Sequence, residues 1–390
     1  MIAMAVLCKN CAGKLIFNPA SQKLECNTCG SSYRPQDVED IYASSDTKFY
    51  DTRVYTCGHC GAEVITSDTE SSTFCVYCGN PAIVFNRISR EYRPDGIIPF
   101  KITKQQAIDN IRTKFLKNPI IPKEIKNKLT PENLRGIYIP YWLINADFTE
   151  ADWIKGTVKR GKSSETRYYS RAGEMTCKNV PIDGSRILND DTSRKLEPFY
   201  LEDSTEFDED YLNGFYSNTS DLSYYDLRRS AAGRCHALYA EDVVNSVDRS
   251  ARDVKIVDSV YHIDIHDDPI YMMMPVWFFT FKHDGKPYTI LVNGQTGKVV
   301  GTMPWQNKRI WAVAITVFLI ILAFIGFFFG GIAFGFRKHI NTFYMHGIAG
   351  LLATSMLCFT TGTVGLKRIF KNLRLTQSEA IFRFVKKRQE

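Results

Sequence analysis

Three features of the sequence mark a multidomain protein. Eight of its eleven cysteines fall in four Cys-x2-Cys pairs within the first 80 residues. Residues 91–307 mix strand-like and helix-like patterns, and beyond residue 308 lie two long runs without a charged side chain. Together they predict two small zinc ribbons, an α+β body and a C-terminal two-helix transmembrane hairpin. The expected boundaries are 1–32 for the first ribbon, 33–52 for a linker, 53–90 for the second ribbon and 91–307 for the body. The hairpin helices are placed at 308–336 and 343–366, with a basic tail at 367–390.

Composition narrows the class. With 44% hydrophobic and 23% charged residues in a chain of 390, wholesale disorder and a collagenous chain are excluded. A mean hydropathy of −0.20 excludes a polytopic membrane protein.

The cysteines come first in the chain. Cys8, Cys11, Cys26 and Cys29 return 49 positions later as Cys57, Cys60, Cys75 and Cys78. Leu15-Ile16 likewise matches Val64-Ile65, and Gly30 matches Gly79, so the unit Cys-x2-Cys-x14-Cys-x2-Cys-Gly is used twice. Two residues between paired cysteines let a tight turn aim both sulfurs at one metal, and the longer spacer suffices for a hairpin that returns the second pair to the first. An all-cysteine tetrahedral shell leaves no place for water. Two structural Zn2+ ions are therefore expected, stabilising cores too small to stand alone. An iron–sulfur or redox site is the lesser alternative. The opening Met-Ile-Ala-Met-Ala-Val-Leu run is too short and too uncharged for a secretory signal, which points to a reducing compartment.

In the body, Gly96 to Ile102 reads as a strand. Thr103 then caps a helix, with Gln106 at the capping-box position and Ile108, Ile111 and Phe115 on one face, ended by Pro119 and Pro122. Ile137–Ile144 and the alternating stretch Trp153–Tyr169 read as strands, with a turn near Arg160-Gly161. The acidic, aromatic segment 187–226 reads as a long surface excursion. A helix is expected from Leu227 to Val247 through Leu227, Ala231, Cys235 and Leu238, with Cys177 and Cys235 as core thiols. Strands follow at 254–266, 272–282, 288–292 and 298–300, with turn signals at Asp284-Gly285 and Asn293-Gly294. Ile139-Pro140-Tyr141-Trp142 faintly echoes Met274-Pro275-Val276-Trp277.

Residues 310–336 and 343–366 are uncharged runs of 27 and 24, each long enough to span a bilayer. The tail carries +6 and the connecting loop +2, so the positive-inside rule predicts a bacterial inner-membrane protein whose body and tail face the cytosol.

The paired ribbons resemble a known family when read with Pro94 to Lys101, Gly136 to Trp142 and Asn293-Gly-Gln-Thr-Gly-Lys298. It is a bacterial family of uncharacterised membrane proteins with a transcription-factor-IIB-type zinc ribbon. Members are sometimes named after the primosomal replication-restart helicase. The resemblance covers most of the chain from Cys57 to the expected membrane hairpin and implies architecture, not activity. No Gly-x4-Gly-Lys-Ser/Thr loop is present to drive a helicase motor, and Gly294-Gln-Thr-Gly297-Lys298 has the wrong spacing.

Charge disfavours nucleic acid as a partner, because residues 1–99 carry nine basic and eleven acidic side chains. A patch at 100–171, with fifteen basic against seven acidic residues, includes Lys114, Lys117, Lys123 and Lys126 as a candidate polyanion or lipid site. His262, Asp264 and His266 share one strand face but read as solvated, and no nucleophile context supports an enzyme. The expected function is a non-catalytic, membrane-anchored zinc-ribbon adaptor with a protein partner, and a homo-oligomer is compatible. The alternatives are a membrane-tethered nucleic-acid-binding protein and, behind it, an enzyme using the 91–307 domain.

Overall fold

The computed structural model describes residues 7–38, 48–59, 61–66, 83–116, 123–161, 163–185, 190–248, 250–283 and 286–301, with single positions at 75, 77, 188, 315, 319 and 326. Strands β1 (Leu15–Asn18), β2 (Lys23–Cys26) and β3 (Ser32–Tyr33) form a small antiparallel sheet. Next come β4 (Phe49–Cys57), β5 (Glu63–Thr66), β6 (Ile83–Tyr92) and β7 (Gly96–Ile97), then helices α1 (Lys104–Ile111) and α2 (Lys123–Lys128). β8 (Leu134–Arg160) and β9 (Ser163–Asp183) make one long hairpin. Helix α3 (Asp190–Leu196), β10 (Thr205–Glu206) and β11 (Tyr216–Ser217) lead to α4 (Tyr224–Ser246). The described fold closes with β12 (Ala251–His283), β13 (Lys286–Asn293) and β14 (Val299–Gly301).

All strands from β4 onward join one 11-stranded sheet, with a main path of β10-β7-β12-β8-β11-β5-β4-β6. Its spine is the antiparallel pair β8–β12, which runs from Leu134↔Phe279 to Val158↔Ala251. Ile139 lies opposite Met274, so the faint internal echo falls on neighbouring strands. Side chains on a strand alternate between faces, and β12 feeds a different core from each. Met273, Trp277, Phe279 and Phe281 join Ala107, Ile108 and Ile111 of α1 and Leu15, Phe17 and Leu24 of the first ribbon. Met272, Met274, Val276 and Phe278 instead join Cys57, Val64, Cys75 and Tyr77. Farther along, α4 covers a third core on the β8–β9–β12 ribbon, built on Phe148, Ile154, Ile182, Leu227, Ala231 and Cys235.

Local signals act where they were read. The Thr103 hydroxyl accepts from the Gln106 amide, and the Gln106 side chain accepts from the Thr103 amide at 2.9 Å, closing the capping box that starts α1. The segment 187–226 does not stay on the surface. It drives Tyr211, Leu212 and Phe215 into the first core, where Phe215 stacks on Phe100 at 4.4 Å. Three of its acids are tied down: Glu197 pairs with Arg234, Asp203 with Lys101 at 2.5 Å and Glu209 with Arg93 at 3.2 Å.

Two parts of the expected fold are corrected. The ribbons are not free-standing units. The first docks through Phe17, whose amide donates to the Asn213 carbonyl at 3.1 Å, and the strands of the second belong to the body's sheet. The described fold is a sheet-rich α+β protein. Among the described residues no helix is long and apolar enough to cross a membrane, so the described fold departs from the expected transmembrane hairpin and from the inner-membrane localisation derived from it. Residues 308–336, 343–366 and 367–390 lie outside the described residues apart from Ile315, Leu319 and Gly326. An uncharged run reports a preference for non-aqueous surroundings and not what supplies them.

Candidate metal centre

Cys8, Cys11, Cys26 and Cys29 converge with their sulfurs all within 4.8 Å of one another, and this group can hold a metal ion. Cys8 Sγ lies 3.5 Å from Cys29 Sγ, and Cys11 Sγ lies 3.4 Å from Cys26 Sγ. A tetrahedral ion with metal–sulfur bonds of roughly 2.3 Å sets sulfur–sulfur edges of roughly 3.8 Å, a value that these two contacts and the 4.8 Å limit bracket. Cys8 and Cys26 are buried against the body, whereas Cys11 and Cys29 face solvent. As free thiols they share protons unequally. Hydrogen bonding to Tyr33 draws Cys8 down to about 6. The Gly13 amide draws Cys11 down, but contacts with Cys29 and Cys26 outweigh it and push the thiol up to about 12.

Each pair is shaped by one backbone device. The Cys8 amide donates to the Gly13 carbonyl at 2.7 Å, and the Ala12 amide returns to the Cys8 carbonyl at 2.8 Å. Cys26 repeats it with Ser31 and Gly30, and Cys57 repeats it with Ala62 and Gly61. The fourth residue after the cysteine is left-handed each time, with φ of 55° at Ala12, 75° at Gly30 and 71° at Gly61. Glycine takes that conformation freely and alanine does not. Ala12→Gly is therefore expected to stabilise the first ribbon by about 0.5–1 kcal/mol, read as slower metal loss to a chelator. A faster loss would contradict the strain.

In the second set, Cys57 and Cys75 are buried in one core, while Cys60 and Cys78 lie outside the described residues. His59 is exposed beside Cys57. Of the four lysines proposed as a polyanion or lipid site, Lys114 donates its ammonium to the Val299 carbonyl and is committed to the fold. Partial burial and neighbouring Lys298 pull its pKa down. Lys117 lies outside the described residues, and Lys123 and Lys126 sit on α2 with side chains outside them. His262 and Asp264 are exposed, and His266 pairs with Asp147 at 2.9 Å. The Asn293–Lys298 loop is a structural junction. Asn293 donates to the carbonyls of Leu196 and Pro198 at 3.0 Å each and accepts from the amides of Gln295 and Thr296 at 2.8 and 2.9 Å.

Sequence reasoning missed a buried acidic pair. Glu150 and Asp152 sit two residues apart on β8, on the face packed against α4, and are 3% and 1% exposed. Glu150 Oε1 meets His236 Nδ1 at 2.5 Å, but its Oε2 and both Asp152 carboxylate oxygens have no hydrogen-bond partner. Without the sheet register, nothing in the sequence separates inward acids from outward ones. Burial, reinforced by Asp152, raises the Glu150 pKa. The native state thus holds that proton more tightly than the unfolded chain. The resulting stability is present below the ordinary glutamate range and is lost as pH rises through the raised value. Asp152→Asn separates two crowded buried carboxyl groups and is expected to add about 1–3 kcal/mol. Urea unfolding of the variant measures the gain, and a loss would show that the carboxylate has a stabilising partner.

The geometry thus defines a sheet-rich α+β protein with a four-cysteine site able to hold a metal. The chain is similar, at 26% identity over 324 residues, to the uncharacterised protein YdjG of Bacillus subtilis (strain 168). That similarity spans 78% of this chain and 91% of the relative. No protein-family model matches the chain, and no solved structure matches it.

Proposed function

We propose that the chain is a zinc-stabilised adaptor: two structural zinc ions staple its N-terminal part, and a protein partner docks on the long sheet ribbon. Zinc suits four thiolates in tetrahedral array, and the shell has no open position for catalysis. The shared backbone device at Cys57 supports a second ion held by Cys57, Cys60, Cys75 and Cys78. The observation that carries the adaptor reading is the outer face of β8–β9–β12, opposite α4. Trp153, Tyr168 and Val260 are 60%, 62% and 73% exposed there. Strand pairing puts them on one side, because Tyr168 lies opposite Lys155 and Val260 opposite Ala151. Beside them Thr149, Ala151, Ala172, Glu174, Val260 and His262 line an open depression of about 490 Å3. Exposed aromatic and aliphatic side chains around a shallow basin are what a protein partner with an apolar anchor recognises.

The test uses the full-length, zinc-replete protein. Metal analysis is expected to return two zinc ions per chain. Trp153→Ala combined with Val260→Glu is expected to weaken partner capture at least tenfold, leaving zinc content and circular dichroism unchanged. Unchanged capture by the double variant would remove the docking face from the reading. Micromolar nucleic-acid binding with a steep salt slope would instead favour the polyanion alternative.

A further inference from the structure

Cys177 and Cys235 lie outside the metal site and are unused by the adaptor reading. Cys177 is on β9 and Cys235 on α4, 58 residues apart, and both are buried in the core that joins the helix to the long ribbon. Their sulfurs are 2.9 Å apart. In the metal cluster, Cys11 and Cys26 lie 3.4 Å apart and Cys8 and Cys29 3.5 Å apart. Closing the remaining gap to the roughly 2.05 Å of a disulfide takes a shift of under about 1 Å, within the reach of small side-chain rotations. Cys177 also sits beside a register shift: the pairing skips between Ile144 and Ala146, and Ala146 lies opposite Cys177. Asn179, two residues on, is left-handed at φ 50° and donates its amide to Asn145 at 2.8 Å. Strand alternation puts Cys177, with its partner Ala146, on the face that α4 covers.

We propose that Cys177 and Cys235 form an intramolecular disulfide that clamps α4 to the ribbon when the protein meets a low-molecular-weight disulfide such as oxidised glutathione. The thiolate of one cysteine attacks the small disulfide, forming a mixed disulfide and releasing one small thiol. The second cysteine then attacks the protein sulfur of that mixed disulfide, forming the Cys177–Cys235 bond and expelling the second small thiol. The protein loses two protons and two electrons: the electrons reduce the small disulfide, and both protons end on the two released thiols. Because both sulfurs are buried, the first step waits for α4 to open locally, so closure is slow and the product is protected from reduction.

Full-length zinc-replete protein is incubated with oxidised glutathione, denatured without reductant, alkylated and digested. The expected result is a linked peptide pair containing Cys177 and Cys235, with the zinc content retained. A rise in Tm on the order of 5 °C or more accompanies it, since the bond closes a long loop, and the rise is absent in Cys235→Ser. Peptide mapping of the unmodified chain keeps the test valid if that variant folds poorly. Recovery of both cysteines as alkylated thiols, or only as separate glutathione adducts, would overturn the proposal.

Discussion

Cys26→Ser is expected to release the zinc proposed for the first ribbon and unfold its three-stranded sheet. Three remaining thiolates cannot close the shell, and a structural metal of this class contributes on the order of 10 kcal/mol. The damage should not stop at the ribbon. Leu15, Phe17 and Leu24 are almost fully buried and share a core with Phe215 and Trp277 of the body. Losing them uncovers that core, so hydrogen exchange should quicken both at 15–26 and around α1. Metal content and exchange measured on the same sample decide the matter. A protected ribbon in a metal-depleted variant would show that Phe17 packing alone holds it.

Asn293→Ala should cost about 3–5 kcal/mol, because a fully buried side chain with four hydrogen bonds is removed. Two carbonyls, of Leu196 at the end of α3 and of Pro198 beyond it, and the amides of Gln295 and Thr296 are left facing a cavity. Gly294 tightens the same junction, since a Cβ there would lie 2.6 Å from the Phe100 ring. Urea unfolding gives the number directly. A cost below about 1 kcal/mol would mean that water replaces the lost partners.

What the sequence made legible was local. The Thr103–Gln106 box, the Arg160-Gly161 turn and the cysteine spacing each encode geometry within a few residues. What it hid depended on partners far along the chain. Leu238 and Tyr239 both continue the apolar steps of α4, yet Leu238 is 44% exposed while Tyr239 is buried. The tyrosine is drawn in by the Glu150 carbonyl, to which its hydroxyl donates at 3.4 Å. Strands expected at 254–266 and 272–282 are one strand of 33 residues, because the chain between His266 and Ile270 makes a register shift and not a turn. The cysteine tetrad was readable from spacing alone. Its docking on Tyr211 and Phe215 was not, because those residues come from a segment whose acidity masks its buried aromatics.

The division of β12 between two cores also governs how this protein can change length. Adding or deleting one residue between Met272 and Phe281 would turn Trp277 and Phe279 toward the wrong layer and their neighbours toward the other, spoiling both interiors at once. The exposed tip at Arg160 and Gly161 carries no such double duty. Insertions, epitope tags or a fused reporter belong there, where the β8–β9 hairpin can lengthen without disturbing either interior.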